Sequence, residues 1–177
     1  MSTPPPSILR LSRLMAGFAS VMLAAYPAAV AVSLGAAFAG HSLALWRLPV
    51  MPNGVTPIQT GIVLATLVSF VLLPVVIAFF SAMRRLFRRY ARGEVLAPAA
   101  CADLRDMGRW AFFMGILGLI QPTLQTLALS VGTESVVLSF AVTDGAIGFL
   151  VLGGTLAAIG WTMTEAVRID EENAGFI

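Results

Sequence analysis

The stretch IQTGIVLATLVSFVLLPVVIAFF, from Ile58 to Phe80, decides the fold because it contains no charged residue. At a rise of 1.5 Å per residue, about 20 such residues cross the hydrocarbon layer of a bilayer as an α-helix. Three other stretches have the same character, and together the predicted spans cover residues 14–39, 58–80, 110–131 and 145–163. The sequence therefore predicts an all-α protein, a four-helix transmembrane bundle.

The composition supports this prediction. Hydrophobic residues make up 58% of the 177 residues and charged residues only 11%, and the mean hydropathy is +0.90. A soluble domain of this length has too small an interior to bury so many apolar side chains. Lipid offers no hydrogen-bond partner to the backbone, so the spans must be helical. We expect residues 1–177 to form one integral membrane domain.

The arginines predict the orientation. The N-terminal tail, the second loop and the C-terminal tail lie on one side of the membrane and carry ten of the eleven basic residues, whereas the other side carries Arg47 alone. Positive residues are retained on the cytoplasmic side. The arginine-rich, alanine-rich composition is typical of a GC-rich bacterial genome, so we expect a bacterial inner-membrane protein with both termini in the cytoplasm.

Residues 81–109, between the second and third spans, predict a cytoplasmic helical hairpin. On a helix continuing from the second span, five arginines fill one arc and apolar residues such as Leu86 fill the opposite arc, which makes the helix amphipathic. Gly93 fits a C-terminal cap, and Pro98 fits the first turn of the next helix. The candidate residues for binding anionic lipid headgroups or an acidic partner are Arg84, Arg85, Arg88, Arg89, Arg92, Arg105 and Arg109.

The acidic tail, residues 164–177, is the expected complement of this hairpin. Glu165, Asp170, Glu171 and Glu172 against Arg168 give the tail a net charge of −3, and the segment from Arg84 to Arg109 has a net charge of +4. Both segments are predicted on the same side of the membrane. We therefore expect ion pairs between them, and we include the four tail carboxylates in the candidate interaction surface.

Two patterns inside the spans predict helix packing. Gln121 and Gln125 share a face of the third span, where they either hydrogen-bond a neighbouring helix or line a polar path. In the fourth span, Gly153, Ala157 and Gly160 fall close to one face, and small residues let helix backbones approach closely. That face predicts a contact within the monomer or the seam of a homo-oligomer.

The sequence has no signature of catalysis. It contains no Walker loop, GxSxG or HExxH motif, and one cysteine and one histidine cannot build a standard zinc site. No predicted span contains a charged residue, which argues against proton pumping. We expect no enzymatic activity, no catalytic residue, no cofactor and no metal. Direct nucleic-acid binding is not expected either, because no nucleic-acid-binding fold accompanies the basic patch.

Two segments resemble a known family: RRYARGEVLAPAACADLRDMG at residues 88–108, with its Arg-Gly-Glu-aliphatic and Leu-Arg-x-x-Gly elements, and TEAVRIDEENAGFI at residues 164–177. The chain resembles a set of small bacterial four-helix inner-membrane proteins catalogued as a domain of unknown function. Leu96 departs from that family's more frequent aromatic residue. Members are often encoded beside a small helix-turn-helix regulator, which implies a cytoplasmic protein partner. The resemblance supplies no catalytic residues.

Two functions follow as hypotheses. The first is a regulatory or accessory subunit that acts through the basic hairpin and acidic tail, with a small cytoplasmic regulator or a larger membrane complex as partner. The second is a small oligomeric transporter or channel with Gln121 and Gln125 lining a path.

The orientation is directly testable. A C-terminal alkaline phosphatase fusion is expected to be inactive and a C-terminal fluorescent-protein fusion bright, because ten arginines hold that side in the cytoplasm. Phosphatase activity without fluorescence contradicts the orientation.

Overall fold

The computed structural model describes residues 6–39, 58–95, 97–133, 136 and 138–174, and it is all-helical over these residues. The helices are α1 (Pro6–Phe38), α2 (Gln59–Ser69), α3 (Leu73–Ala91), α4 (Pro98–Leu129) and α5 (Asp144–Ala174), with a 3₁₀ turn (Phe70–Leu72) between α2 and α3. With that turn, α2 and α3 form one rod. Four helices are thus long and apolar enough to cross a membrane, which confirms the predicted four-helix bundle of a multi-pass membrane protein.

The helices are longer than the predicted spans because the hairpin and the tail are continuations of them. The first arm of the hairpin is the end of α3, and the second arm is the start of α4. The acidic tail continues α5 as far as Ala174. The connection between α3 and α4 is therefore short, and the charged residues are carried on rigid helices.

Pro74 accounts for the 3₁₀ turn inside the rod formed by α2 and α3. A proline has no N–H to donate four residues back, and its ring crowds the carbonyl at that position. Here that carbonyl belongs to Phe70, and the N–H of Leu73 donates to it instead. The α-helix is thus interrupted before Pro74, whereas α1 continues through Pro27 without a break.

Helix α1 lies antiparallel to the rod formed by α2 and α3. At one end, the side-chain amide Nε2 of Gln59 donates to the carbonyl oxygen of Phe38 at 3.1 Å. Further along, the rings of Phe18 and Phe80 meet edge to face with centroids 6.3 Å apart. Because α1 and the α2–α3 rod have the same rise per residue, this register brings the N-terminal turns of α1 level with the last turns of α3. We call this end, where residues 92–97 join α3 to α4, the hairpin end.

Helices α4 and α5 are in backbone contact through glycine. A Cβ atom added to Gly153 would lie 2.3 Å from the backbone nitrogen of Phe112, and one added to Gly108 would lie 2.4 Å from that of Ala157. Gly160 meets the backbone of Arg105 in the same way, at 2.7 Å. The small-residue face predicted in the fourth span therefore packs within the chain. The adjoining Gly154 faces outward, with nothing within 4 Å of its added Cβ.

The buried apolar cluster of the bundle lies in the half nearest the hairpin end. It joins one face of α3, which includes Phe79 and Leu86, to one face of α4, which includes Leu104 and Met107. Side chains of α5, among them Leu156, pack against it. This cluster fixes how the two hairpin arms face each other, and so it places the charged residues described below.

The α4–α5 contact predicts opposite outcomes for two neighbouring glycines. Gly153→Ala is expected to lower the stability by about 1–3 kcal/mol, because its methyl group collides with backbone that cannot rotate away. Gly154→Ala is the matched control, since its methyl group meets open space and alanine favours the helix. Thermal unfolding in mild detergent measures both, and equal midpoints for the two variants contradict the contact.

Candidate interaction surface at the hairpin end

The turn of the hairpin is closed by Gly93, as the sequence predicts. Gly93 has a φ of 83°, a backbone conformation that costs glycine little and other residues more. Its N–H donates to the carbonyl of Tyr90 at 3.0 Å, and the N–H of Glu94 donates to the carbonyl of Arg89 at 3.1 Å. These two bonds form a Schellman cap. The next helix begins with Pro98 in its first turn.

Asp103 is the main ionic link between the two arms. One carboxylate oxygen accepts a hydrogen bond from Nε of Arg85 at 2.9 Å, and the other accepts one from Nε of Arg89 at 2.8 Å. The two arginines lie four residues apart on α3 and so share a face. Asp103 is only 7% exposed. A carboxylate buried this far is stable only when its oxygens are paired, and this pair of arginines supplies that.

Glu94 extends this link to the tip of the hairpin. Its carboxylate accepts hydrogen bonds from Nε and Nη2 of Arg92 at 2.9 and 3.2 Å, and Nη1 of Arg89 lies 3.6 Å from it. The hydrogen bond from Arg92 is the main reason that the pKa of Glu94 is lowered. Glu94 thus stays ionised at neutral pH, and its small contribution to stability is lost only as the pH falls through that lowered pKa.

The three carboxylates of the hairpin are all used internally, and this leaves a surplus of arginine. Asp103 and Glu94 bind the arginines named above, and Asp106 binds Arg109 at 3.1 Å. At the hairpin end, the described arginines that form neither an ion pair nor a side-chain hydrogen bond are Arg10, Arg13, Arg84, Arg88 and Arg105. The Nε atom of Arg84 is also buried without a hydrogen-bond partner.

The expected ion pairs between tail and hairpin are not seen for two of the four tail carboxylates. Glu165 and Glu172 bind Arg168 of their own helix. They lie three residues before and four residues after that arginine, so they reach it with little loss of side-chain freedom. Over the described residues, neither Glu165 nor Glu172 forms an ion pair with a hairpin arginine, so the expected contact from Glu165 or the Asp170–Glu172 cluster now depends on Asp170 and Glu171. The side chains of Asp170 and Glu171 lie outside the described part of the chain, and their contacts stay a prediction.

The two glutamines of α4 have different surroundings. Nε2 of Gln125 donates to the hydroxyl of Ser69 at 3.1 Å in the buried interior, so this amide hydrogen-bonds a neighbouring helix, which is one of the two predicted roles. Gln121 instead borders a small apolar crevice with Leu117 and Leu124. The crevice has a volume of about 20 Å³, roughly the room of one water molecule. The polar path along both amides stays a hypothesis.

The chemistry available at the hairpin end is that of a cationic surface. Over the described residues, no group of three His, Cys, Asp or Glu side chains is placed to hold a metal ion. Cys101 is a buried free thiol on α4. What the hairpin end does offer is guanidinium groups, which donate up to five N–H groups each to carboxylates or phosphates.

Two features were missed at the level of sequence. From the sequence, Asp103 contributes only to the net charge of the segment from Arg84 to Arg109. Its burial between Arg85 and Arg89 depends on which faces of α3 and α4 are turned towards each other. Arg10 and Arg13 were used for orientation alone, although the register of α1 on α3 brings them to the level of the hairpin arginines. Their signal was present in the sequence: charges on the same predicted side with no acidic residue nearby on α1.

The Asp103 link predicts unequal effects for two aspartates on one helix. Asp103→Asn is expected to destabilise the protein by about 1–3 kcal/mol, because it weakens two charge-assisted hydrogen bonds to a buried group. Asp106→Asn is the matched control and is expected to cost less than about 1 kcal/mol, because its ion pair is exposed. Denaturation in detergent followed by circular dichroism measures both, and an equal loss removes the special role of Asp103.

Compared with known proteins, the chain matches no family model, and neither a curated protein sequence nor a solved structure has significant similarity to it. Its resemblance to the bacterial family of unknown function thus stays a prediction.

Proposed function

We propose that the protein is a non-enzymatic subunit of the bacterial inner membrane, with both termini in the cytoplasm, that recruits or regulates an acidic cytoplasmic protein through its hairpin end. The observation that carries this proposal is a set of five arginines at that end that have no ion-pair partner among the described residues: Arg10, Arg13, Arg84, Arg88 and Arg105. They come from three different helices, so they form a surface rather than a single stripe.

The internal ion pairs favour recognition over a purely structural role for this surface. The hairpin carboxylates are bound to arginines of the hairpin itself, so the remaining positive charge is available to other molecules. Arg10 and Arg88 are exposed. A field of one sign steers an oppositely charged partner and speeds its association. The resemblance to proteins encoded beside a small regulator favours a partner of that kind.

The end of α5 completes the proposed surface with the opposite charge. The helix continues to Ala174, and it carries the acidic residues of the tail past the level at which α4 begins. A basic patch beside an acidic helix end allows one orientation of a partner and disfavours the reverse orientation. We therefore assign the tail a part in orienting the partner.

The arginine surface is tested by two double variants that remove the same charge. Arg10→Gln with Arg88→Gln removes two unpaired arginines, and Arg92→Gln with Arg168→Gln removes two paired ones. Either change leaves eight arginines against one, so the orientation is kept. Co-purification of cytoplasmic partners in mild detergent is expected to fall about fivefold for each unpaired arginine removed and to change little in the control. An equal loss in both variants contradicts the proposed surface.

The tail is tested separately by changing Asp170, Glu171 and Glu172 to the corresponding amides, which leaves every arginine in place. Weakened co-purification is expected, and unchanged co-purification shows that the tail takes no part in recognition.

Purified protein in liposomes supplies the opposing test: movement of an ion or solute above background replaces this proposal with the transporter hypothesis.

A further inference from the structure

A groove runs between α4 and α5 near the hairpin end, with a volume of about 510 Å³. We propose that this groove binds one anionic glycerophospholipid, with the phosphate held by two arginines and the upper part of an acyl chain lying in the groove. This inference goes beyond the protein partner proposed above: it assigns Arg105, which also belongs to the proposed partner surface, to a lipid site together with Arg109. The residues that border the groove are Arg105, Arg109, Ala157, Ala158 and Trp161.

The glycine contact between the helices builds the groove. Gly160 allows the backbone of Arg105 to lie against α5, because a Cβ there would be 2.7 Å from the Arg105 nitrogen. Arg109 follows one helical turn later on the same side. Across from the two arginines, Ala157 and Ala158 have side chains of one carbon, so the space between the helices stays open. Larger side chains at these positions would fill it.

The two arginines have hydrogen-bonding capacity to spare. Arg105 has no carboxylate partner over the described chain. Arg109 binds Asp106 through Nη1 alone, and its side chain is 62% exposed. The cluster of two arginines and one aspartate keeps a net charge of +1. A phosphate diester accepts paired hydrogen bonds from guanidinium groups and neutralises this charge.

The depth of the groove selects a lipid rather than a soluble anion. On α4, the residues that follow Arg109, 110–129, are all uncharged. On α5, residues 145–164 are uncharged, and Glu165 is the next charged residue towards the hairpin end. Arg105 contacts Gly160, so the arginines lie against the last apolar turns of α5. Trp161 is 70% exposed there, and indole favours the boundary between headgroups and hydrocarbon. A ligand at this level needs both a negative headgroup and an apolar chain.

Fluorescence quenching of Trp161 tests the site. In phosphatidylcholine nanodiscs, the variant with Trp46→Phe and Trp110→Phe retains Trp161 as its one tryptophan. Phosphatidylglycerol with brominated acyl chains is compared with brominated phosphatidylcholine at equal mole fraction. We expect stronger quenching by phosphatidylglycerol, and a preference for it that falls about fivefold in Arg105→Gln and in Arg109→Gln. Equal quenching by the two lipids overturns the proposal.

Two further variants separate a built site from general surface charge. Arg88→Gln removes an unpaired arginine from α3, outside the groove, and is expected to keep the preference; if it lowers the preference as much as Arg105→Gln does, no site exists. Ala158→Leu fills the groove without changing the charge and is expected to weaken the specific quenching; unchanged quenching also overturns the proposal.

If the single-tryptophan variant does not fold, native mass spectrometry of the intact protein replaces quenching. It counts the phosphatidylglycerol molecules that stay bound to the unmodified protein and to the same variants. We expect less bound lipid in Arg105→Gln, Arg109→Gln and Ala158→Leu than in the unmodified protein and in Arg88→Gln. The result is independent of the protein partner, because the partner test changes Arg10 and Arg88 and leaves the groove intact. Failure of either proposal is therefore recognised without the other.

Discussion

The hydrocarbon interior of a membrane contains no water, and this constraint shapes the whole chain. Each span must satisfy its own backbone hydrogen bonds, which gives long helices. Lipid is as apolar as leucine, so burying apolar surface does little to hold the helices together. The bundle relies instead on close backbone approach, at Gly108 against Ala157 and Gly153 against Phe112. Polar links such as Gln125 to Ser69 add to this packing.

At the hairpin end the controlling interaction changes from packing to charge. The carboxylates Glu94, Asp103 and Asp106 bind neighbouring arginines, and Asp103 holds the two arms together. Since there are more arginines than carboxylates, the same arrangement that closes the hairpin leaves cations facing outward. Over the described residues, the arginines are therefore divided between those that bind a carboxylate of the hairpin and those that do not.

Features governed by local chemistry were predictable from the sequence. The helical spans follow from their length and lack of charge, the turn follows from Gly93 and Pro98, and the packed face of α5 follows from the spacing of its small residues. Each of these depends on residues within one helix or one turn. The structure confirms them with helices that are longer than the apolar stretches alone.

Features that depend on how two helices face each other were not predictable. The sequence does not reveal that Asp103 turns towards Arg85 and Arg89, because its rotation is set by the buried cluster of α3 and α4. The tail carboxylates were expected on the hairpin, yet Glu165 and Glu172 bind the nearer Arg168. The groove beside Trp161 exists only in the register that Gly160 and Arg105 establish.

The two polar links between the α2–α3 rod and α4, at Asp103 and at Gln125, have a mechanical consequence. Asp103 and Gln125 lie twenty-two residues apart on α4, a distance of about 33 Å along a helix, which is close to the thickness of a bilayer's hydrocarbon layer. One link is ionic and the other is an amide-to-hydroxyl bond. If α4 slid along the α2–α3 rod, both links would break at once. In a thinner membrane, the α2–α3 rod and α4 must therefore adjust by tilting together as a single unit of fixed length.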